Sequence, residues 1–226
     1  MLKVGGYVPF SSTDYPGKLA AVVFVQGCPW RCTYCHNPHL QPRQQPPGSP
    51  SWEQIRKRLQ GRQGLLDAVV FSGGEATLDP ALESAIHEAR ELGFAIGLHT
   101  AGMYPQRLQA LLPLLDWVGL DVKTTKSAYD ALTGVPGSAA PVQTSLRAVQ
   151  AAGVALEVRT TVDPTLHTEA QLTTLARDLA AQGVRNYALQ LARTTPSAAT
   201  NLTSDFPSAA WRAQIGALFE QFTWRT

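Results

Sequence analysis

Leu19-Ala-Ala-Val-Val-Phe-Val25, followed at once by Gln26-Gly-Cys28-Pro-Trp-Arg-Cys32-Thr-Tyr-Cys35-His36-Asn37-Pro38, decides how this chain is read. The first seven residues are apolar without alternation, which marks a strand covered on both faces, as in a parallel sheet. The next stretch places all three cysteines of the 226-residue chain within eight positions, at the spacing C-x3-C-x2-C. A strand that delivers a reactive loop at its C-terminal end suggests an α/β architecture.

Working outward, the same unit recurs. Apolar runs at Asp67–Phe71, Phe94–Leu98, Trp117–Val122, Val154–Val162 and Val184–Leu191 read as further strands. Helical signals lie between them. Ser51 with Gln54 and Thr168 with Gln171 are capping boxes, and Asp79-Pro80 reads as an N-cap followed by Pro at the first helical position. Trp52, Ile55 and Leu59 share a helical face, as do Leu82, Ile86 and Ala89, with Gly93 as the stop. Pro105 opens a helix carrying Leu108, Leu111, Leu112 and Leu115. Lys126–Ala152 reads as helical, broken by the turn Gly134-Val-Pro-Gly137. Leu172, Leu175 and Leu179 precede a stop at Gly183. Trp211, Ile215, Leu218 and Phe222 are spaced as a last helix. Six β/α units in series imply a parallel sheet with right-handed crossovers. Periodicity alone does not choose between a doubly wound sheet and a barrel. No linker divides the repeats, so residues 1–226 are expected to form one domain. Pro38–Pro50, with five Pro and three Gln, reads as an extended surface loop and a candidate partner-binding segment.

Composition narrows the function. The formal net charge is +2, with 16% charged and 44% hydrophobic residues, so neither nucleic acid nor an anionic membrane is an expected partner. Three clustered cysteines do not make a secreted disulfide framework. The longest apolar run is Leu19–Val25, against about 20 residues for a membrane span. The start of the chain shows no signal-peptide pattern, which makes a cytoplasmic location the expectation. The sequon Asn201-Leu202-Thr203 carries no meaning in that compartment.

Three readings compete for the cysteines. They are structural thiols, or zinc ligands with His36 or His39 as the fourth, or holders of an iron–sulfur cluster. Tight clustering disfavours the first. Zinc sites usually pair C-x2-C with a second, distant pair, and none exists here. A 4Fe–4S cube ordinarily takes four thiolates. With three available, one iron would stay open to a cofactor or substrate.

C-x3-C-x2-C after the first strand, with Tyr34 before the last cysteine, resembles the radical S-adenosylmethionine (SAM) superfamily. Ser72-Gly73-Gly74-Glu75 after the second strand is similar to that family's Gly-Gly-Glu motif. The resemblance implies a partial (β/α)6 TIM-like barrel, which agrees with the six units counted. It implies a 4Fe–4S cluster on Cys28, Cys32 and Cys35, with SAM chelating the open iron. One-electron cleavage of SAM would then yield a 5′-deoxyadenosyl radical. Cofactor-binding roles fall on Tyr34, Asn37, Gly73, Gly74, Glu75, Thr100, Asp121, Lys123 and Arg159. Glu75 offers a carboxylate to an ammonium group, and glycines admit close backbone approach. Asp121 and Lys123 resemble the Asp-x-Lys of glycyl-radical activating enzymes; strand alternation points them the same way. Asn37 is expected to cap the backbone or to contact adenine.

The longer phrase narrows the resemblance further. Gly5-Gly-Tyr-Val-Pro-Phe10, Asp14-Tyr-Pro-Gly-Lys18, Gln26-Gly-Cys28 and Tyr34-Cys-His-Asn-Pro38 resemble activating proteins of anaerobic ribonucleoside-triphosphate reductase. This implies abstraction of a glycine Cα hydrogen in a large partner, with flavodoxin or ferredoxin as electron donor. A radical enzyme acting on a small molecule and a non-catalytic zinc module are the alternatives. Two departures stand out. His99-Thr100-Ala101-Gly102 replaces Asp-Thr-Asn-Gly, removing a carboxylate associated with a monovalent cation beside SAM; His99 is expected either to hydrogen-bond when neutral or to replace the metal's charge when cationic. Ala76 replaces a frequent Pro. Cys28, Gly73, Thr100, Lys123, Thr161 and Gln190 all fall at or just past predicted strand ends.

Overall fold

The computed structural model describes residues 1–192 and 206–226; the sequon at 201–203 lies outside the described residues. Among them, eight strands form one sheet in chain order: β1 (Val4–Ser11), β2 (Ala20–Val25), β3 (Ala68–Gly73), β4 (Ala95–Thr100), β5 (Trp117–Asp121), β6 (Ala155–Val162), β7 (Asn186–Leu191) and β8 (Gln221–Arg225). Every neighbouring pair from β2 to β8 is parallel, and only β1 pairs antiparallel. β1 and β8 are the edges of the sheet, so the barrel stays open. β2–β7 are the six strands legible in the sequence, and the partial (β/α)6 TIM-like barrel is observed.

Among the described residues, seven α-helices cover the outside: α1 (Trp52–Gln60), α2 (Leu82–Glu91), α3 (Pro105–Leu111), α4 (Tyr129–Thr133), α5 (Ala139–Ala152), α6 (Glu169–Ala181) and α7 (Ala209–Gly216). Both expected capping boxes form, at Ser51/Gln54 and Thr168/Gln171. Alternation sorts each strand. Val23, Phe71, Leu98 and Leu120 join the helices' Ile55, Ile86, Leu108 and Leu146 in the outer core. Val22, Val70 and Trp117 turn inward with Tyr15 and plug the bottom of the barrel, where the Tyr15 and Trp117 rings stack 5.1 Å apart.

Three expectations are corrected. β1 went unread because its Gly5, Gly6 and Pro9 break a strand signature. The last helix does not reach Phe222: it ends at Gly216 and the chain turns into β8, whose Phe222 and Trp224 face one side as alternate strand residues do. Asp79 is not the N-cap of α2, which begins at Leu82 after Ala81. Its carboxylate instead accepts from the N–H groups of Ala81 and Lys3 and from Arg43. Burial would raise that carboxyl; these donors more than reverse it and hold it below the usual range.

Candidate active site

The loops at the C-terminal ends of β2 and β3 are sewn together by backbone. After β2, Gly27 takes φ +111, a conformation suited to glycine. The Gly27 and Cys28 N–H groups donate to the carbonyls of Leu40 and Gln41, at 2.7 and 3.0 Å. Gly74 and Glu75 N–H groups donate to the Val25 and Gly27 carbonyls, at 3.0 and 2.9 Å. A Cβ on Gly74 would lie 2.4 Å from the Gly27 oxygen, and one on Gly73 2.3 Å from the Val25 oxygen. Glycine at both positions is therefore required by this close approach. The Pro-rich segment is fastened too. Gln26 Nε2 donates to the His39 and Pro42 carbonyls, Arg43 Nη1 donates to the Gln26 carbonyl, and Gln45 Nε2 donates to the Val4 carbonyl. It braces the cysteine loop from behind.

This frame surrounds a cavity of about 400 Å³. Cys28, Cys32 and Cys35 line it, as do Tyr34, Asn37, Gly73, Gly74, Thr100, Asp121, Lys123 and Arg159. Thr161 and Gln190 line it as well, so all six strand-end residues singled out from the sequence meet here. Asn37 makes no side-chain cap to the turn that follows it, which leaves its amide to the cavity. Burial pushes the Cys28 thiol up to about 12 and raises Cys32, against which the Lys123 ammonium acts. Such thiols keep their protons until a soft metal displaces them.

Glu75 is the exception among the site residues. It is 1% exposed and does not line the cavity. Oε1 accepts from the Thr77 N–H (3.2 Å), the Thr77 hydroxyl (2.5 Å) and the Thr100 hydroxyl (2.6 Å), and Oε2 accepts from the Ala101 N–H (2.9 Å). The Thr100 hydroxyl in turn accepts from the Gly102 N–H at 3.0 Å. The carboxylate thus ties the β3 loop to the β4 loop.

The far side of the cavity is built from charged side chains. Lys123 donates to Asp121 at 3.1 Å, as their spacing on the strand implied. Burial alone would lower Lys123; Asp121, with Tyr34 and Cys32, outweighs it and holds the ammonium well above the usual lysine range. Arg159 lies over the Trp117 ring and donates from Nε to Glu157 at 2.6 Å, while Arg225 donates to the other oxygen of Glu157 at 2.9 Å. His99 Nε2 is 2.9 Å from Arg159 Nη1 and 2.8 Å from the Asp14 carbonyl, and Nδ1 is 3.2 Å from the Ser72 hydroxyl. Burial and the neighbouring guanidinium hold His99 neutral. Of the two roles open to His99, the hydrogen-bonding one is realised.

Glu157, His167 and Arg225 escaped the sequence reading, and Asp14 and Ser72 entered it only as members of motifs, with no role of their own. Glu157 had a signal: Glu157 and Arg159 put charges on alternate positions of an otherwise uncharged strand, and inward charges need partners.

The matching family model is that of the radical SAM superfamily, over residues 22–179. The chain belongs to the radical SAM superfamily. It is similar to a protein of Methanocaldococcus jannaschii described as a glycyl-radical enzyme activating enzyme, 33% identical over 56% of this chain and 52% of the relative. It is also similar to the pyruvate formate-lyase-activating enzyme of Clostridium pasteurianum, 33% identical over 68% of this chain and 65% of the relative. The chain thus spans between half and two thirds of the length of these relatives. Among solved structures, Streptococcus suis SuiB bound to S-adenosylmethionine superposes with a TM-score of 0.69 at 13% identity, covering 89% of this chain and 48% of that one. QueE from Escherichia coli gives 0.59 at 16% identity, covering 100% and 94%. These two likenesses establish the fold.

The family's cofactors are a 4Fe–4S cluster and SAM, and the residues present fit them. Three thiols face one cavity. Two buried polar atoms beside it, the Tyr34 hydroxyl and Arg159 Nη2, have no partner among the described residues. Among the described residues no group of three or more His, Cys, Asp or Glu side chains is gathered as metal ligands, the three thiols included. No described helix is long and apolar enough to cross a membrane.

Proposed function

We propose that this protein is a SAM-dependent activase that places a glycyl radical on a partner enzyme, most closely matching anaerobic ribonucleoside-triphosphate reductase. The observation that carries the reading is three free thiols, with no fourth cysteine in the chain, facing one cavity that also holds Asp121 and Lys123. When bound, a 4Fe–4S cluster supplies one electron that cleaves a carbon–sulfur bond of SAM, and the fragment takes a hydrogen atom from a glycine Cα. The chain's own part is positioning and electrostatics. Cys28, Cys32 and Cys35 hold three irons. Gly73 and Gly74 let the backbone approach the methionine end of SAM, and Glu75 fixes the Thr100 and Ala101 loop beneath it. Tyr34 and Asn37 line the adenine side, and Asp121 with Lys123 sets the charge opposite. The apolar plug of Tyr15 and Trp117 excludes water from below. The open sheet edges at β1 and β8 leave a side through which a glycine loop can enter. Flavodoxin or ferredoxin supplies the electrons, in a reducing cytoplasm.

Anaerobic reconstitution tests this reading. A brown protein with about four iron per chain is expected, forming 5′-deoxyadenosine and methionine from SAM under reduction. Mixed with the partner reductase, it should give a glycyl doublet in the electron paramagnetic resonance (EPR) spectrum. A colourless protein that takes up zinc in preference to iron under the same conditions would contradict it.

A further inference from the structure

Lys123 enters the cavity with each of its polar groups engaged. Its N–H donates to the Tyr129 hydroxyl at 3.0 Å, its carbonyl accepts from His167 Nε2 at 3.1 Å, and its ammonium donates to Asp121 at 3.1 Å. The ammonium also stands 5.7 Å from the centre of the Tyr34 ring, between Cys32 and Cys35 in the chain. The residues that grip the Lys123 backbone pack on the cysteine loop: Tyr129 meets Trp30 edge-on at 5.9 Å, and His167 meets Tyr34 at 6.1 Å. A bracket of four rings therefore fixes the ammonium relative to the thiols.

His167 is 2% exposed, in the loop after β6. The Lys123 carbonyl only accepts, so Nε2 carries a proton; Nδ1 lies 3.1 Å from the Asp163 N and 3.2 Å from the Asp163 carbonyl. The two charges of the pair are unequally screened. The Lys123 side chain keeps 10% of its exposure and the Asp121 side chain 39%. Water damps the carboxylate more than the ammonium, which leaves the Lys123 charge the stronger of the pair; the buried Glu75 carboxylate opposes it at Cys28.

We propose that Lys123 is the fixed counter-charge of the cysteine-held cluster, raising its reduction potential, and that His167 is the positioning residue that keeps it there. This rests on the reading of the three thiols as cluster ligands. Reduction adds one negative charge, and a cation held nearby favours the reduced form, as does any partner that tunes cluster electrostatics.

The test is a redox titration, followed by EPR, of anaerobically reconstituted wild type, Lys123→Gln, His167→Phe and His167→Gln, without SAM, with iron counted for each. Lys123→Gln is expected to shift the midpoint potential to more negative values. His167→Phe should shift it the same way by a smaller amount. His167→Gln should stay near wild type, because its amide N–H still donates to the Lys123 carbonyl. An unchanged potential in Lys123→Gln overturns the counter-charge. A shift there with His167→Phe at the wild-type value overturns the positioning role. Should His167→Phe not fold, Tyr129→Phe decides: it removes the other grip on the Lys123 backbone, and a wild-type potential then overturns the bracket. A wild type that takes up no four-iron cluster defeats the underlying reading first.

Discussion

The two sides of the cavity are made of different material. After β2 and β3, the cradle is main chain against main chain, with Gly73 and Gly74 where a Cβ would collide with backbone. Across from it, β5 and β6 present Asp121, Glu157 and Arg159 as side chains on a regular ladder, with Lys123 two residues past the end of β5. A backbone cradle has one geometry and fails as a unit. A side-chain array can be adjusted residue by residue. The first side suits a cofactor that does not vary, the second a substrate and a potential that do.

Substitutions can break that contrast. Gly74→Ala should have the largest effect: its Cβ would press on the Gly27 and Leu40 oxygens, neither of which can rotate away. A loss of about 3 kcal/mol and failure to retain iron are expected, read by thermal melting and iron analysis. Glu75→Gln comes next. It puts an amide donor against the donors from Thr77, Thr100 and Ala101, at a cost of about 2 kcal/mol. SAM affinity should fall through disorder of the β4 loop, and calorimetry should find the same penalty for an analogue lacking the amino group. A penalty that vanishes with that analogue would assign Glu75 to the ammonium directly.

Gly119→Ala, on the side-chain half, should cost about 1 kcal/mol. Its Cβ would meet side-chain atoms of Trp117, His99 and Arg159 at 2.8–3.2 Å, and these can shift. Melting should drop by a few degrees with the cluster retained. If Gly119→Ala proves as damaging as Gly74→Ala, the two halves are equally rigid and the contrast fails.

The same contrast explains what could be read in advance. β2 to β7 were legible because strands buried on both faces carry long apolar runs, and Cys28 to Cys35 because free thiols rarely cluster so tightly. Asp121 and Lys123 were legible through strand alternation. Gly73 and Gly74 were visible as a motif, but the partners of Glu75 were not, since Thr100 and Ala101 lie 25 and 26 positions away. His167 carried no local pattern; its role depends on a carbonyl 44 residues upstream. β8 was hidden because Trp211, Ile215, Leu218 and Phe222 satisfy helical spacing while Gly216 ends the helix. β1 was hidden because its glycines serve contact: a Cβ on Gly5 would lie 2.3 Å from both the Gln26 side chain and Leu40.

The central claim is that three thiols hold a cluster whose remaining iron is open to SAM. EPR of the reduced, reconstituted protein before and after addition of SAM tests it most directly. The account expects a 4Fe–4S signal whose g-values change when SAM binds, and loss of that signal when any of Cys28, Cys32 or Cys35 is replaced by Ala in a protein that still melts cooperatively. A cluster signal indifferent to SAM, or one that survives replacement of a cysteine, would contradict it.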